Sequence, residues 1–263
     1  MDGAIITAKG LGCQWGERYR IKQIDWEIEE KSRWIVLGMN GSGKTTLLSI
    51  LAGYQDYSHG TLLYRGKDYR ELDILSLRKQ MGWISNSYFD RIYQHESVLD
   101  LVLSGLSGTL GLEDGCVTDA HIRKLKRLLL QVGLEDKMDS PYNWLSKGER
   151  QNILILRALL GQPEVMVLDE PMTGLDVISK QRMMEFVRGI AQKRQHTMLY
   201  VTHHFEEISP ELFDKCLLLR NGQIYQMGSV TEVINSENIS DFLQRNVTVV
   251  QMKNGYYQLD FQR

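Results

Sequence analysis

Trp34-Ile35-Val36-Leu37-Gly38-Met39-Asn40-Gly41-Ser42-Gly43-Lys44-Thr45-Thr46 passes from an apolar run into a glycine-rich stretch and ends on a lysine and two threonines. A short apolar run that stops on glycine is the pattern of a buried strand emptying into a loop. The residues that follow, 45–51, read as a helix. Between strand and helix, Gly38 to Thr45 fits G-x-x-x-x-G-K-[ST], whose glycines let backbone N–H groups curl toward a phosphate. The helix N-terminus adds partial positive charge at the same place. Gly38, Asn40, Gly41, Ser42, Gly43, Lys44, Thr45 and Thr46 are therefore the expected nucleotide-binding residues, with Lys44 neutralising the β- and γ-phosphate oxygens and the Thr45 hydroxyl offered to Mg²⁺.

Working outward, Val165-Met166-Val167-Leu168-Asp169-Glu170 is a second apolar strand, delivering two adjacent acids at its C-terminal end, where ligands bind in parallel sheets. Such a pair divides the labour of phosphoryl transfer. Asp169 is expected to hold the metal through its water shell, and Glu170 to orient and polarise the attacking water. Residues 198–201 form a further β-rich run, with a helical span over 179–192 before it, and strand–helix–strand implies a parallel sheet. Upstream, Ile21, Ile24, Trp26 and Ile28 alternate with polar neighbours, as in an antiparallel sheet with one wet face. Helical spacing dominates 97–160, through Val98, Leu101, Val102 and then Ile122, Leu125, Leu128, Leu129. Asn221-Gly222 separates two short apolar runs and marks a tight hairpin, and the tail past Ser229 holds a short helix signal and two strand candidates, 248–251 and 256–259.

Composition bounds the rest. The 263 residues are 43% hydrophobic and 24% charged, ordinary globular values. With 31 basic and 33 acidic residues the formal net charge is −2, so no global field recruits nucleic acid or an anionic membrane. Cys13, Cys116 and Cys216 are scattered and odd in number, against a disulfide framework or a clustered metal site and in favour of a reducing cytosol. No apolar run approaches the roughly 20 residues that span a bilayer, and the N-terminus does not read as a secretory signal.

Leu145-Ser146-Lys147-Gly148-Glu149-Arg150-Gln151 resembles the LSGGQ signature of the ATP-binding cassette (ABC) proteins, in particular the stand-alone, importer-type ATP-binding subunits of transporters. Physically it is a serine-capped helix start aimed at anionic phosphate. Thr173-Gly174-Leu175-Asp176 is similar to the family's D-loop, Val201-Thr202-His203 to its switch region, Gln14-Trp15-Gly16 to the place of an adenine-stacking aromatic, and Met81-Gly82-Trp83-Ile84-Ser85-Asn86 to its Q-loop. Two motifs depart from the pattern: in the Q-loop Asn86 stands where glutamine is usual, one methylene shorter, and in the signature Lys147 and Glu149 replace a glycine and a glutamine.

The resemblance implies an α/β fold: a P-loop NTPase core with a parallel sheet flanked by helices, an N-terminal antiparallel β-subdomain and a helical subdomain insert. It divides a single domain, 1–263, into a core with β-subdomain (1–86 and 162–228), a helical subdomain carrying the signature (87–161) and a C-terminal extension (229–263). It implies ATP and Mg²⁺ as cofactors. Lys44, Glu170 and His203 become the catalytic set, the histidine contacting the γ-phosphate, with His204 pointing elsewhere. Trp15 stacks on adenine, with Tyr19 as its substitute. Thr45, Asp169 and Asn86 serve the metal. Ser146 and Gly148 complete the nucleotide site of a second cassette, and Asp176 contacts that partner in a homodimer. The expected function is ATP hydrolysis driving solute transport through a separate integral membrane permease, from a cytoplasmic position on the inner face of the membrane, with no nucleic acid expected. Two other readings are a soluble ABC-family ATPase acting on ribosome or DNA, and a weakly hydrolysing regulatory cassette.

Overall fold

The structure, a computed structural model, describes residues 3–16, 18–93, 95–112 and 117–261, with the side chains of Asn86 and Ser87 outside the described set. Cys116 lies outside the described residues; Cys13 and Cys216 are buried free thiols. The chain forms two compact units, Met1–Glu71 with Arg188–Arg263, and Leu72–Val187.

The first unit opens with β1 (Ala4–Trp15), β2 (Arg18–Glu29), β3 (Arg33–Leu37), α1 (Lys44–Leu51), β4 (His59–Tyr64) and the two-residue β5 (Lys67–Asp68). The second carries α2 (Ile74–Gln80), β6 (Met81–Ile84), α3 (Asn86–Ile92), α4 (Val98–Leu103), α5 (Asp119–Val132), α6 (Lys147–Leu160), β7 (Val165–Asp169) and most of α7 (Val177–Lys193). The first unit then resumes with β8 (Thr197–Thr202), β9 (Lys215–Arg220), β10 (Gln223–Ser229), α8 (Val230–Val233), α9 (Ser236–Leu243), β11 (Val247–Gln251) and β12 (Tyr257–Phe261).

In the first unit an antiparallel sheet of order β2-β1-β4-β5 buries Ile21, Ile24, Trp26 and Ile28 and exposes the residues between them. The three-residue step from Ile21 to Ile24 is a β-bulge: the two oppose Cys13 and Leu11, only two residues apart, and Gln23 takes a positive φ of 47°. A second, mostly parallel layer sets β3 between β8 and β9, with β10 antiparallel on the outside. Every residue of β3 and β8 is buried, because helices and loops cover both faces of a parallel sheet. Asn221 at φ 53° and Gly222 at φ 77° close the β9–β10 hairpin in the doubly left-handed turn that matches strand twist. The tail forms α8, α9 and the β11–β12 hairpin.

In the second unit β6 and β7 pair in parallel with Ile84 opposite Leu168. Helix α6 packs on α4 and β6, burying Ile153, Leu156 and Leu160. Gly105 permits its close approach, since a Cβ there would strike the Arg157 carbonyl. Helix α5 starts in a capping box of Thr118 and His121 and stops at Gly133, φ 69°. Among the described residues no helix is long and apolar enough to cross a membrane.

Candidate functional site

The first unit builds a phosphate cradle. Gly38 follows β3 so tightly that a Cβ would strike Ser42 Oγ and lie 2.8 Å from the Leu219 carbonyl. Gly41 and Gly43 take φ of 81° and 103°, and a Cβ on Gly43 would sit 2.8 Å from the Arg20 carbonyl. Only glycine meets both demands. The loop is braced from below by the β9–β10 turn, where the Gly222 N–H donates to the Ser42 carbonyl at 2.9 Å and the Gly222 carbonyl accepts from Lys22 N–H at 2.7 Å. Helix α1 begins at Gly43 with no side-chain cap, and the N–H groups of a helix's first turn have no partner within the helix itself. Lys44 is 5% exposed, and its Nζ donates to the Gly38 carbonyl at 2.7 Å, folded over the loop it would share with a phosphate. An uncapped helix end, a cradle that a Cβ would fill and a lysine laid across it fit a nucleotide's phosphates.

Beside this cradle stands His203. Strand β8 runs parallel to β3 with Thr202 opposite Leu37, so His203 and Gly38 leave neighbouring strand ends on one side of the sheet. His204 does not turn away as expected: its ring lies 4.1 Å from that of His203, tilted by 36°, and its Nδ1 is 3.3 Å from Glu206 Oε1. Strand alternation stops at Thr202, so it no longer separates the two side chains. No group of three or more His, Cys, Asp or Glu able to hold a metal occurs among the described residues. Trp15 ends β1 opposite Arg18, 73% exposed. Tyr19, less exposed, meets His59 edge-on at 5.7 Å and carries Lys22 Nζ 5.5 Å from its ring centre.

The second unit holds the carboxylates and the signature. Asp169 closes β7 with only 4% of its surface exposed, and Ser85, leaving the adjacent β6, donates its hydroxyl to Asp169 Oδ2 at 3.0 Å. Ser85 stands at the N-cap of α3, yet its hydroxyl makes no cap bond, being committed to Asp169. Sequence reasoning missed this serine; its signal was a hydroxyl at the end of an apolar run next to Asn86. The Asn86 side chain lies outside the described residues. A hydroxyl-anchored carboxylate at a strand end supplies the oxygen donors a hard cation takes. Glu170 adopts φ 49°, a left-handed conformation uncommon for a residue with a side chain, as the chain turns sharply off β7. Its carbonyl accepts from Thr173 N–H at 3.1 Å.

Ser146 and Glu149 form a capping box at α6: Glu149 N–H donates to Ser146 Oγ at 3.3 Å and Ser146 N–H to Glu149 Oε2 at 2.7 Å. The Ser146 N–H first, and then the Ser146 hydroxyl, hydrogen-bond to the Glu149 carboxyl and hold it below the usual carboxylate range. Gly148 faces Ser179, whose Oγ would lie 2.8 Å from an added Cβ. Lys147 reaches over the D-loop, its Nζ 2.9 Å from where a Gly174 Cβ would be. Asp176 accepts from Ile178 N–H and Ser179 N–H at 2.9 Å each and from Ser179 Oγ at 2.7 Å, which lowers its pKa and starts α7. One unit thus gathers Gly38 to Thr46 with His203, and the other gathers Ser85, Asp169 and Glu170 at paired strand ends, with Ser146 and Gly148 on α6.

A glycine cradle on an uncapped helix, a histidine at the neighbouring strand end and a strand-end Asp-Glu pair define a phosphate-loop nucleotide-binding protein. Residues 21–173 match the family model described as ABC transporter. The chain belongs to the ABC transporter family, as an ATP-binding subunit. It is 35% identical over 248 residues to the uncharacterized ABC transporter ATP-binding protein YlmA of Bacillus subtilis, covering 94% of this chain and 93% of that one. It is 32% identical over 251 residues to the L-cystine import ATP-binding protein TcyC of Bacillus subtilis, covering 92% and 98%. Among solved structures, the dimeric post-hydrolysis state of the ATP-binding cassette MJ0796 bound to ADP and Pi shares the fold, with a TM-score of 0.72 at 21% identity over 86% of this chain and 98% of that one.

Proposed function

We propose that this chain binds and hydrolyses ATP and that the hydrolysis drives a solute across a membrane through a separate permease. The uncapped glycine cradle at the start of α1 is the observation that carries the reading. Lys44 and the loop amides hold the β- and γ-phosphates, and Trp15 stacks on adenine. Thr45, Asp169 and Asn86 hold Mg²⁺ directly or through water. That set of oxygen donors would hold the ion, which would supply positive charge to offset the charge building on the phosphates. Glu170 orients and polarises the attacking water, and His203 contacts the γ-phosphate.

A second cassette, most simply a second copy, completes each site with Ser146 and Gly148, and Asp176 contacts it. The relatives named for import support a place on the cytoplasmic face of the membrane, attached through the permease. The test has two arms. The purified chain hydrolyses ATP only with Mg²⁺, and EDTA removes the activity; turnover that survives EDTA overturns the metal assignment. Membrane fractions retain the chain only when a permease is co-expressed; co-sedimentation with ribosomes instead overturns the transport reading.

A further inference from the structure

Glu207 is a buried carboxylate that the assigned chemistry does not use, four residues beyond His203. It sits in the short turn after β8 and accepts a hydrogen bond from the Tyr200 hydroxyl at 2.8 Å. Thr202 also hydrogen-bonds to it through its hydroxyl. The same Thr202 oxygen accepts from His204 N–H at 3.0 Å. A continuous path therefore runs from the Glu207 carboxylate through the Thr202 hydroxyl to the amide on the C-terminal side of His203. That amide and the strand end at Thr202 are the two flanks of the histidine's Cα.

The C-terminal hairpin closes the turn from outside. Strand β12 packs against residues 205–207, and Tyr257 N–H donates to the Ile208 carbonyl at 3.1 Å. Tyr256, next to it, accepts from Arg188 at 2.8 Å, which ties the hairpin to α7. Water is kept from Glu207, so its bonds to Tyr200 and Thr202 are not exchanged for solvent. A buried carboxylate costs free energy unless its acceptors are filled. Here the two donors that fill them are the residues one and three before His203.

We infer that Glu207 is a positioning residue for His203, fixing the backbone on both sides of the histidine through Thr202, with the β11–β12 hairpin as the lid that keeps this bond network dry. The role rests on the ATPase reading and assigns a task to the C-terminal extension. Glu207 itself touches no phosphate; it sets where the imidazole stands. Its loss therefore lowers kcat through His203 and leaves nucleotide binding by the phosphate loop intact.

The test compares Glu207→Gln and Thr202→Val, the latter keeping shape while removing the hydroxyl that joins the path. Each is expected to lower kcat about 10-fold, with the KM for ATP changed by less than about 2-fold, an order set by the usual worth of a positioning contact. In a His203→Ala background the same substitutions have no further effect on kcat, a non-additivity that a merely structural role does not produce. Amide exchange at His204 accelerates in Thr202→Val, measured without reference to catalysis. Equal losses of kcat with and without His203, or unchanged exchange at His204, overturn the assignment. If Glu207→Gln does not fold, Thr202→Val decides alone. An unsubstituted chain that shows no turnover sinks the ATPase reading instead, while exchange at His204 still decides whether the path holds that peptide.

Discussion

The phosphate loop and the signature loop both open a helix with glycine nearby, yet they are held in opposite ways. The phosphate loop is fixed by distant chain: Gly38 against Leu219, Gly43 against Arg20, Ser42 against Gly222. Its helix has no side-chain cap of its own. The signature helix is capped by its own first turn, Ser146 with Glu149, and Ser146 is exposed. One loop is over-determined by chain far away in sequence. The other is locally self-sufficient and presents its N-terminus outward. Over-determined sites fail abruptly when altered, whereas self-capped ones weaken by degrees, and that contrast can be tested.

The largest effect is expected from Gly43→Ala. Its φ of 103° lies where a side chain is strained, and the new methyl meets the Arg20 carbonyl, which is backbone and yields little. ATP binding, followed with a fluorescent analogue, falls at least about 100-fold, or roughly 3 kcal/mol. Gly148→Ala is milder, because the methyl meets a side chain, Ser179, and not backbone. ATP binding to the monomer stays unchanged while turnover drops about 10-fold, since an interaction needed only after binding has been disturbed. Equal damage to binding in both variants would erase the contrast between the loops.

Smaller effects sharpen it. Ser146→Ala removes the cap, worth about 1 kcal/mol, and calorimetry should find the melting temperature of the chain lowered by roughly 2–4 °C. Glu149→Gln should leave melting within about 1 °C, because glutamine fills the same capping box. The Ser146 N–H donates to Glu149 Oε2, and the side-chain oxygen of a glutamine would offer the same acceptor. Lys147, a further departure, lays its Nζ 2.9 Å from where a Gly174 Cβ would be, a cation where the family pattern has a glycine.

How legible the molecule was in its sequence follows the same division between local and distant cause. Strands β3, β7 and β8 are written as contiguous apolar runs because both faces are buried, and Asn221-Gly222 announces its hairpin through its own dihedral demands. Strand β6 is harder to read, four residues long with a glycine inside; Gly82 is there because a Cβ would press Pro163 at 2.6 Å, a contact that local pattern does not record. The hairpin at Gly222 was visible, whereas its second task of bracing Ser42 was not, since 180 residues separate the two. Likewise Asp169 could be picked out by its place after an apolar strand, but Ser85, which holds it, needed the β6–β7 register.

The proposed hydrolysis depends most directly on Glu170, placed by a sharp left-handed turn at the end of β7. In the Glu170→Gln variant, steady-state hydrolysis with Mg²⁺ should fall at least about 100-fold, the scale of a lost catalytic base. Light scattering on the same sample should show ATP converting monomer to a stable dimer. Hydrolysis at the parental rate, or a chain that stays monomeric at saturating ATP, would contradict it.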